Sequence, residues 1–152
     1  MKILCIIPIY NEEARLNYLL EEITLFKKKT DLNIDFLMIN NGSTDNSENI
    51  LNLYNLKHIK LRKNRGIGYA FLLGLRLARK NYYEILIHMA GNYKMSPFDI
   101  PNVINPVKVM GFDYVSGTRF LKKENFKNNP LFRKISIKIL SLFFSKNLVP
   151  ET

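Results

Sequence analysis

Residues 3–9 read Ile-Leu-Cys-Ile-Ile-Pro-Ile, a run without a charged side chain that is followed at once by Tyr10-Asn11-Glu12-Glu13. A stretch this short, with apolar residues at successive rather than alternate positions, reads as a strand buried on both faces. Similar runs recur at Ile34–Ile39, Ile59–Leu61, Glu84–Met89 and Tyr114–Ser116.

The segments between these runs have helical spacing. Glu13–Lys28 places Leu16, Leu19, Leu20, Ile23 and Phe26 at steps of three and four, with Asn11 as the expected cap and a lysine run at the end. Asp45–Leu56 follows the cap-forming residues Ser43, Thr44 and Asp45, and Tyr69–Arg79 repeats Leu72, Leu73, Leu75 and Leu77 around Gly74. The alternation predicts an α/β fold: a mostly parallel sheet with helices on both faces.

The chain has 152 residues, 47% of them hydrophobic, enough for one domain with a real core. Its 23 Lys and Arg against 13 Asp and Glu give a net charge of +10, which favours partners carrying phosphate. The basic residues are scattered rather than interleaved with stacking aromatics along one element, which argues against a nucleic-acid partner. A single cysteine, Cys5, cannot form an internal disulfide and sits in an apolar run, so packing in a reducing cytoplasm is expected. The first residues fail as a signal peptide, and no run reaches the ~20 apolar residues of a membrane span. The end at Asn-Leu-Val-Pro-Glu-Thr, just after a helix-like stretch, points to a piece of a longer protein.

In open parallel sheets, ligands bind in the loops at the carboxyl ends of the strands. Here those loops are PIYNEE, NNGSTD, KNRGIG and AGNYKMSP, each rich in Gly, Asn, Ser or charge. Gly42 suits a tight turn, and Ser43, Thr44 and Asp45 open a helix whose free amides would suit a phosphate or a sugar hydroxyl. A well-capped structural turn has the same residues. Gly66 and Gly68 start a helix beside Lys63 and Arg65, although neither the P-loop nor the dinucleotide fingerprint is present.

Taken in order, CIIPIYNEEARL, FLMINNGSTDNS, KNRGIGYAFLLGLRLA, ILIHMAGNYKMSP and DYVSGTRF resemble the successive motifs of family 2 glycosyltransferases, especially the polyprenyl-phosphate sugar transferases. The resemblance covers roughly residues 2 to 120. It implies the Rossmann-like GT-A fold, a nucleotide-diphosphate-sugar donor, transfer with inversion, and a polyprenyl-phosphate or glycan acceptor. It further implies that Pro8, Tyr10, Asn11 and Glu12 line the nucleoside pocket, that Asn40, Gly42 and Ser43 form the turn that meets the base, and that Asn64, Gly66 and Gly68 cradle the nucleotide.

The family's two acidic signatures are changed. Asn40-Asn41 stands where the family has Asp-Asp; an amide both donates and accepts, so Asn40 could still pair with a base edge. Ala90-Gly91-Asn92 stands where the family has the Asp-x-Asp that holds magnesium or manganese, and a single neutral amide is a poor ligand for either ion, so no metal ligand is assigned. Asn92, Lys94 and Arg119 are the expected catalytic group, Lys94 and Arg119 meeting the diphosphate charge in the metal's place. The competing reading makes Lys94 a solvated loop lysine. A lone His88 at a strand end reads as structural, and Tyr93 is the aromatic residue placed near the ligand. No general base stands out; Glu124 and Asp113 are the remaining acids near these loops.

Residues 1–121 are therefore expected to form the nucleotide-sugar-binding core. Residues 122–152 would form a basic amphipathic segment, its helix at Phe132–Lys146 suited to an anionic membrane surface at the cytoplasmic face, or else to packing on the rest of a longer protein. Two functions remain open: a transferase, or a nucleotide-sugar-binding domain that has lost its metal site and its catalysis.

Overall fold

A computed structural model of the chain describes residues 1–117. A first compact unit covers Met1–Asn102 and a second begins at Val103. The expected boundary between residues 121 and 122, and the amphipathic helix beyond it, lie outside the described residues.

In the first unit, β1 (Ile3–Ile9), α1 (Glu13–Lys29), β2 (Ile34–Asn40), α2 (Ser47–Leu53), β3 (His58–Lys60), α3 (Ile67–Lys80) and β4 (Ile85–His88) alternate along the chain. The four strands form one sheet in the order β3-β2-β1-β4, every pairing parallel. Cys5 pairs in register with Phe36 and Ile87, and Ile6 with Leu37 and His88. Register partners share a face, so each face of the sheet carries rows of apolar side chains.

Both faces are covered, as the sequence predicts. On the Cys5 and Phe36 face lies α1, whose Phe26 ring meets Phe36 edge-on at 6.1 Å between centroids. Leu16, Leu19, Leu20 and Ile23 of α1 are fully buried, each contributing about 1.5–3 kcal/mol of transfer free energy. On the Ile6 face lies α3, which approaches through small residues. Ala70, Gly74 and Ala78 form its buried stripe, and Ala70 and Ala78 pack in one cluster with Leu4, Ile6 and Ile39. A Cβ added at Gly74 would stand 2.6 Å from Ile6 Cδ1, so glycine here sets the spacing between helix and sheet.

The structure corrects several element readings. Asn11 does not cap α1: its φ is +53°, and Glu12 occupies the capping position without a capping hydrogen bond from its own side chain. α2 is shorter than expected, because the Asn46 amide is taken by Glu13 Oε2 and Asn55, at φ +49°, stops the chain from continuing as helix. α3 begins two residues early, at Ile67, behind Gly66 with φ +80°. No strand forms at Tyr114–Ser116, where Tyr114 is exposed and the backbone has no sheet partner among the described residues. A helix that the sequence reading missed, α4 (Ile100–Met110), follows a short 3-10 turn at Pro97–Asp99 and carries Pro106 inside it.

Candidate functional site

The strand order reverses at β1, with β2 on one side and β4 on the other, and this is where an open parallel sheet leaves a crevice at its carboxyl edge. A cavity of about 300 Å³ occupies that position. Four loops contribute to it: Pro8, Ile9, Tyr10 and Glu12 from the end of β1, Asn41 from the end of β2, Asn64, Gly66 and Ile67 from the passage into α3, and Ala90, Gly91 and Asn92 from the loop after β4.

Six of the residues expected at the site therefore line one cavity: Pro8, Tyr10, Glu12, Asn64, Gly66 and Asn92. Asn11, Asn40, Gly42, Ser43, Gly68 and Lys94 do not line it, and Arg119 lies outside the described residues. Asn11, Asn40, Gly42 and Ser43 instead brace the loops that line it.

The end of β1 and the turn after β2 are laced together. The amides of Asn11, Glu12 and Glu13 donate to Ser43 Oγ, Ser47 Oγ and Asp45 Oδ2 at 3.1, 3.0 and 3.0 Å. In return, Asn11 Oδ1 accepts from the Thr44 amide and Glu13 Oε2 from the Asn46 amide, both at 2.8 Å. Burial works against the charge of Asp45, but hydrogen bonds from the Ser47 hydroxyl and from the Glu13 and Ser47 amides prevail and hold its carboxyl below the ordinary range. The Ser43, Thr44, Asn46 and Ser47 amides of this turn, expected to be free for a phosphate, are thus already used. The polar residues around Gly42 in NNGSTDNS signal this role as well as they signal a binding loop, which is why both readings were open from the sequence.

Asn40 and Asn41 divide the roles expected of Asn40. Asn40 is fully buried, donates its amide to Glu48 Oε2 and accepts from the Ser43 amide at 2.9 Å, which leaves little of it for a base edge. Asn41 lines the cavity. Its Nδ2 donates to Asn64 Oδ1 at 3.0 Å and its Oδ1 accepts from the Arg65 amide at 3.0 Å, while Asn64 Oδ1 also accepts from the Gly66 amide at 2.8 Å. This network shapes the loop before α3 and keeps one Nδ2 hydrogen of Asn41 for another partner.

Glycine is required where two loops meet. Gly42 has φ +75°, and a Cβ on it would stand 2.4 Å from the Lys63 carbonyl carbon. A Cβ on Gly91 would stand 2.6 Å from Pro8 O, which holds the loop after β4 against the end of β1. That loop is also tied to α1, by the Tyr93 and Tyr18 rings at 5.9 Å and by the Ser96 hydroxyl donating to Glu22 Oε1 at 2.5 Å.

Among the described residues the cavity wall has one carboxylate, Glu12, which faces Arg15 Nη1 at 4.0 Å. Among the described residues no group of three His, Cys, Asp or Glu side chains comes together as a metal site. Asn92 Oδ1 accepts from the Lys94 amide at 3.3 Å, and Ala90 and Gly91 have no side-chain oxygen. Magnesium and manganese favour anionic oxygen ligands, and this donor set does not fit them. Burial pushes the Cys5 thiol up, far from a reactive thiolate, and lowers His88, whose ring packs edge-on against Phe71 at 5.8 Å. Neither acts at the cavity wall.

Comparison with known proteins agrees with this geometry. A UDP-N-acetylglucosamine–dolichyl-phosphate N-acetylglucosaminyltransferase from Methanococcus voltae is 28% identical over 86% of this chain and 57% of its own length. A dolichol-phosphate mannosyltransferase from Pyrococcus furiosus is 28% identical over 89% of this chain and 38% of its own. The chain spans about half the length of the curated relatives it matches. Among solved structures, glucosyl-3-phosphoglycerate synthase from Mycobacterium tuberculosis, in complex with UDP, superposes with a TM-score of 0.56 at 19% identity, over 71% of this chain and 40% of that one. That likeness shows the fold, which is GT-A. The family model for glycosyl transferase family 2 matches residues 4–150, and the chain belongs to that family.

Proposed function

We propose that the chain carries the donor-binding part of an inverting glycosyltransferase, which moves a sugar from a nucleoside diphosphate to a polyprenyl phosphate. One observation carries this reading. The loops after the four parallel strands, each within the family match, contribute to a single cavity at the carboxyl edge of the sheet. The relatives supply the acceptor class, since two are named for transfer to dolichyl or dolichol phosphate.

In this reading Tyr10, Asn41, Asn64 and Gly66 hold the nucleoside, and Asn92 faces the sugar diphosphate. The bond between the anomeric carbon and the β-phosphate oxygen breaks as the acceptor oxygen attacks from the opposite face. Negative charge collects on the departing nucleoside diphosphate, and fixed positive charge lowers that barrier. Lys94 and Arg119 are assigned that task. A phosphate acceptor is already anionic at neutral pH, so its oxygen needs no general base, whereas a glycan hydroxyl would need one. A lipid acceptor also implies a membrane surface, in this reading the cytoplasmic face, where residues 122–152 would meet anionic lipid. No helix among the described residues is long and apolar enough to cross a membrane.

The test is turnover by the full chain with UDP-, GDP- and CDP-sugars and a polyprenyl phosphate. Glycosyl-lipid formation is expected with one of the three donors. The acid-free stretch Ala90-Gly91-Asn92 favours a second reading, a nucleotide-sugar-binding domain without catalysis. A donor that binds but is neither transferred nor hydrolysed, with or without metal, would establish that second reading and end the first.

A further inference from the structure

We propose that this cavity binds its nucleoside diphosphate without a divalent metal, the counter-charge coming from cations of the loops before α3 and after β4. The inference rests on the donor-binding reading above and specifies its electrostatics.

The loop after β4 enters the cavity with a methyl group at Ala90, a bare backbone at Gly91 and a neutral amide at Asn92. Its placement is fixed by contacts with β1 and α1. Gly91 is packed against Pro8 O, and the next turn is fastened to α1 through Tyr93 and Ser96. The single wall carboxylate, Glu12, is half-buried beside Arg15 at the start of α1. A diphosphate carries at least two negative charges at neutral pH. Bringing it to a wall that among the described residues has one carboxylate and no cation would be costly unless positive charge stands nearby.

That charge is present on both sides. Lys63 and Arg65 flank Asn64, and Lys94 lies two residues after Asn92. Arg65 is the best placed of the three. Its amide is fixed by Asn41 Oδ1 at 3.0 Å and its guanidinium stacks on the Tyr69 ring at 3.9 Å, so the group is held in the same network that shapes the cavity wall. A guanidinium and an ammonium meet phosphate oxygens by charge-assisted hydrogen bonds with no metal between them. The same substitutions that remove the metal ligands leave these cations without competing acids on the loop that carries Lys94: Ala90 to Met95 contains no Asp or Glu.

The experiment measures binding of UDP, GDP and CDP to the full chain by calorimetry, in chelator and in manganese. The expected result is that one nucleotide binds with a Kd equal within about twofold in the two conditions, and that Arg65→Gln and Lys94→Gln each weaken it by about tenfold, the loss typical of one hydrogen bond to a charged group. Binding at least tenfold tighter in manganese overturns the inference and leaves the donor reading standing. Binding of none of the three nucleotides in either condition overturns the donor reading itself. The double variant Ala90→Asp/Asn92→Asp restores two carboxylates to the loop and should make nucleotide binding tighter in manganese than in chelator. If that folded variant binds equally in both, metal exclusion does not reside in these two positions. The parent and Gln variants stand as a test even where the double variant fails to fold.

Discussion

Asn40 donates its side-chain amide to the carboxylate of Glu48, across the turn between β2 and α2. The same Glu48 oxygen pair meets His58 Nε2 and Lys60 Nζ, each at 3.7 Å, so one carboxylate gathers the ends of β2 and β3. An aspartate at position 40 would put a second carboxylate against the first in a buried place. Asn40→Asp should therefore destabilise the fold by about 2 kcal/mol at neutral pH, and Glu48→Gln should restore most of the loss. The cost should shrink as pH falls into the carboxylate range, because a shared proton removes the repulsion. Denaturant unfolding of the two single variants and the double variant measures this. Additive losses would show that the pair is not coupled.

The two glycines with positive φ in the binding loops should differ in cost. Gly66→Ala meets only the backbone penalty of φ +80° and ψ +160°, a region open almost only to glycine, since no atom lies within 4 Å of the added Cβ, and should cost about 2 kcal/mol. Gly42→Ala adds a clash with the Lys63 backbone at 2.4 Å, and should cost about 3 kcal/mol or more while parting the two loops. Equal losses of thermal stability in the two variants would contradict the close contact at Gly42.

Much of this fold was legible because burial on both faces leaves a continuous apolar run, as in β1, whose limits the structure matches at Ile3 and Ile9. The helical stripe of α1 was legible for the same reason, through Leu16, Leu19, Leu20, Ile23 and Phe26. Prolines hid α4. Pro101 is tolerated in a first turn, where its missing N–H has no helical partner, but Pro106 reads locally as a break. The site was legible as a set of loops and less so as side chains. Neighbouring residues at a strand end point opposite ways, and whether Asn40 or Asn41 faces the cavity depends on pairing with β1, where Ile9 is opposite Asn40 and the Asn41 amide donates to Ile9 O. No local pattern carries that information.

A second carboxylate, Asp35, governs the pH response at the opposite end of the sheet. Tyr83 donates its hydroxyl to Asp35 Oδ2 at 2.7 Å, Lys57 Nζ is 3.6 Å from Asp35 Oδ1, and Lys2 lies over the Tyr83 ring at 4.3 Å. The Tyr83 hydrogen bond, aided by Lys57 and Lys2 against the effect of burial, holds the Asp35 carboxyl below its ordinary range. Burial first, then Asp35, pushes the Tyr83 phenol up to about 12. A lowered acid contributes stability that is present above its unfolded value, about 3.9, and is lost as pH falls through the folded one. A raised phenol contributes stability present below its unfolded value, about 10, and lost as pH climbs toward 12. Tyr83→Phe should thus cost about 1 kcal/mol between pH 6 and 9, discounted for the solvent around Asp35. The gap from the parent should narrow at both extremes. Unfolding free energies of the two proteins across pH would show this, and a gap that stays constant to pH 12 would rule the pair out as the source.

The loop that carries Asn92 and Lys94 depends on α1 for its position. Tyr93 takes φ +58°, a strained conformation for a bulky residue, and its ring meets Tyr18 at 5.9 Å; three residues on, Ser96 bonds Glu22. Tyr18 and Glu22 lie one turn apart on α1, so two ties from the same helix face hold the loop at both ends of Lys94. Neither residue lines the cavity. Tyr18→Ala and Glu22→Ala should each cost about 1 kcal/mol of stability, and both should weaken nucleotide binding by a few-fold by letting Asn92 and Lys94 leave their bound arrangement. Tyr93→Gly separates strain from anchoring: it relieves the left-handed backbone yet removes the ring contact, so stability should change little while binding still weakens. Calorimetric binding alongside thermal unfolding of the three variants decides it. If all three bind as tightly as the parent, the loop holds its position without α1.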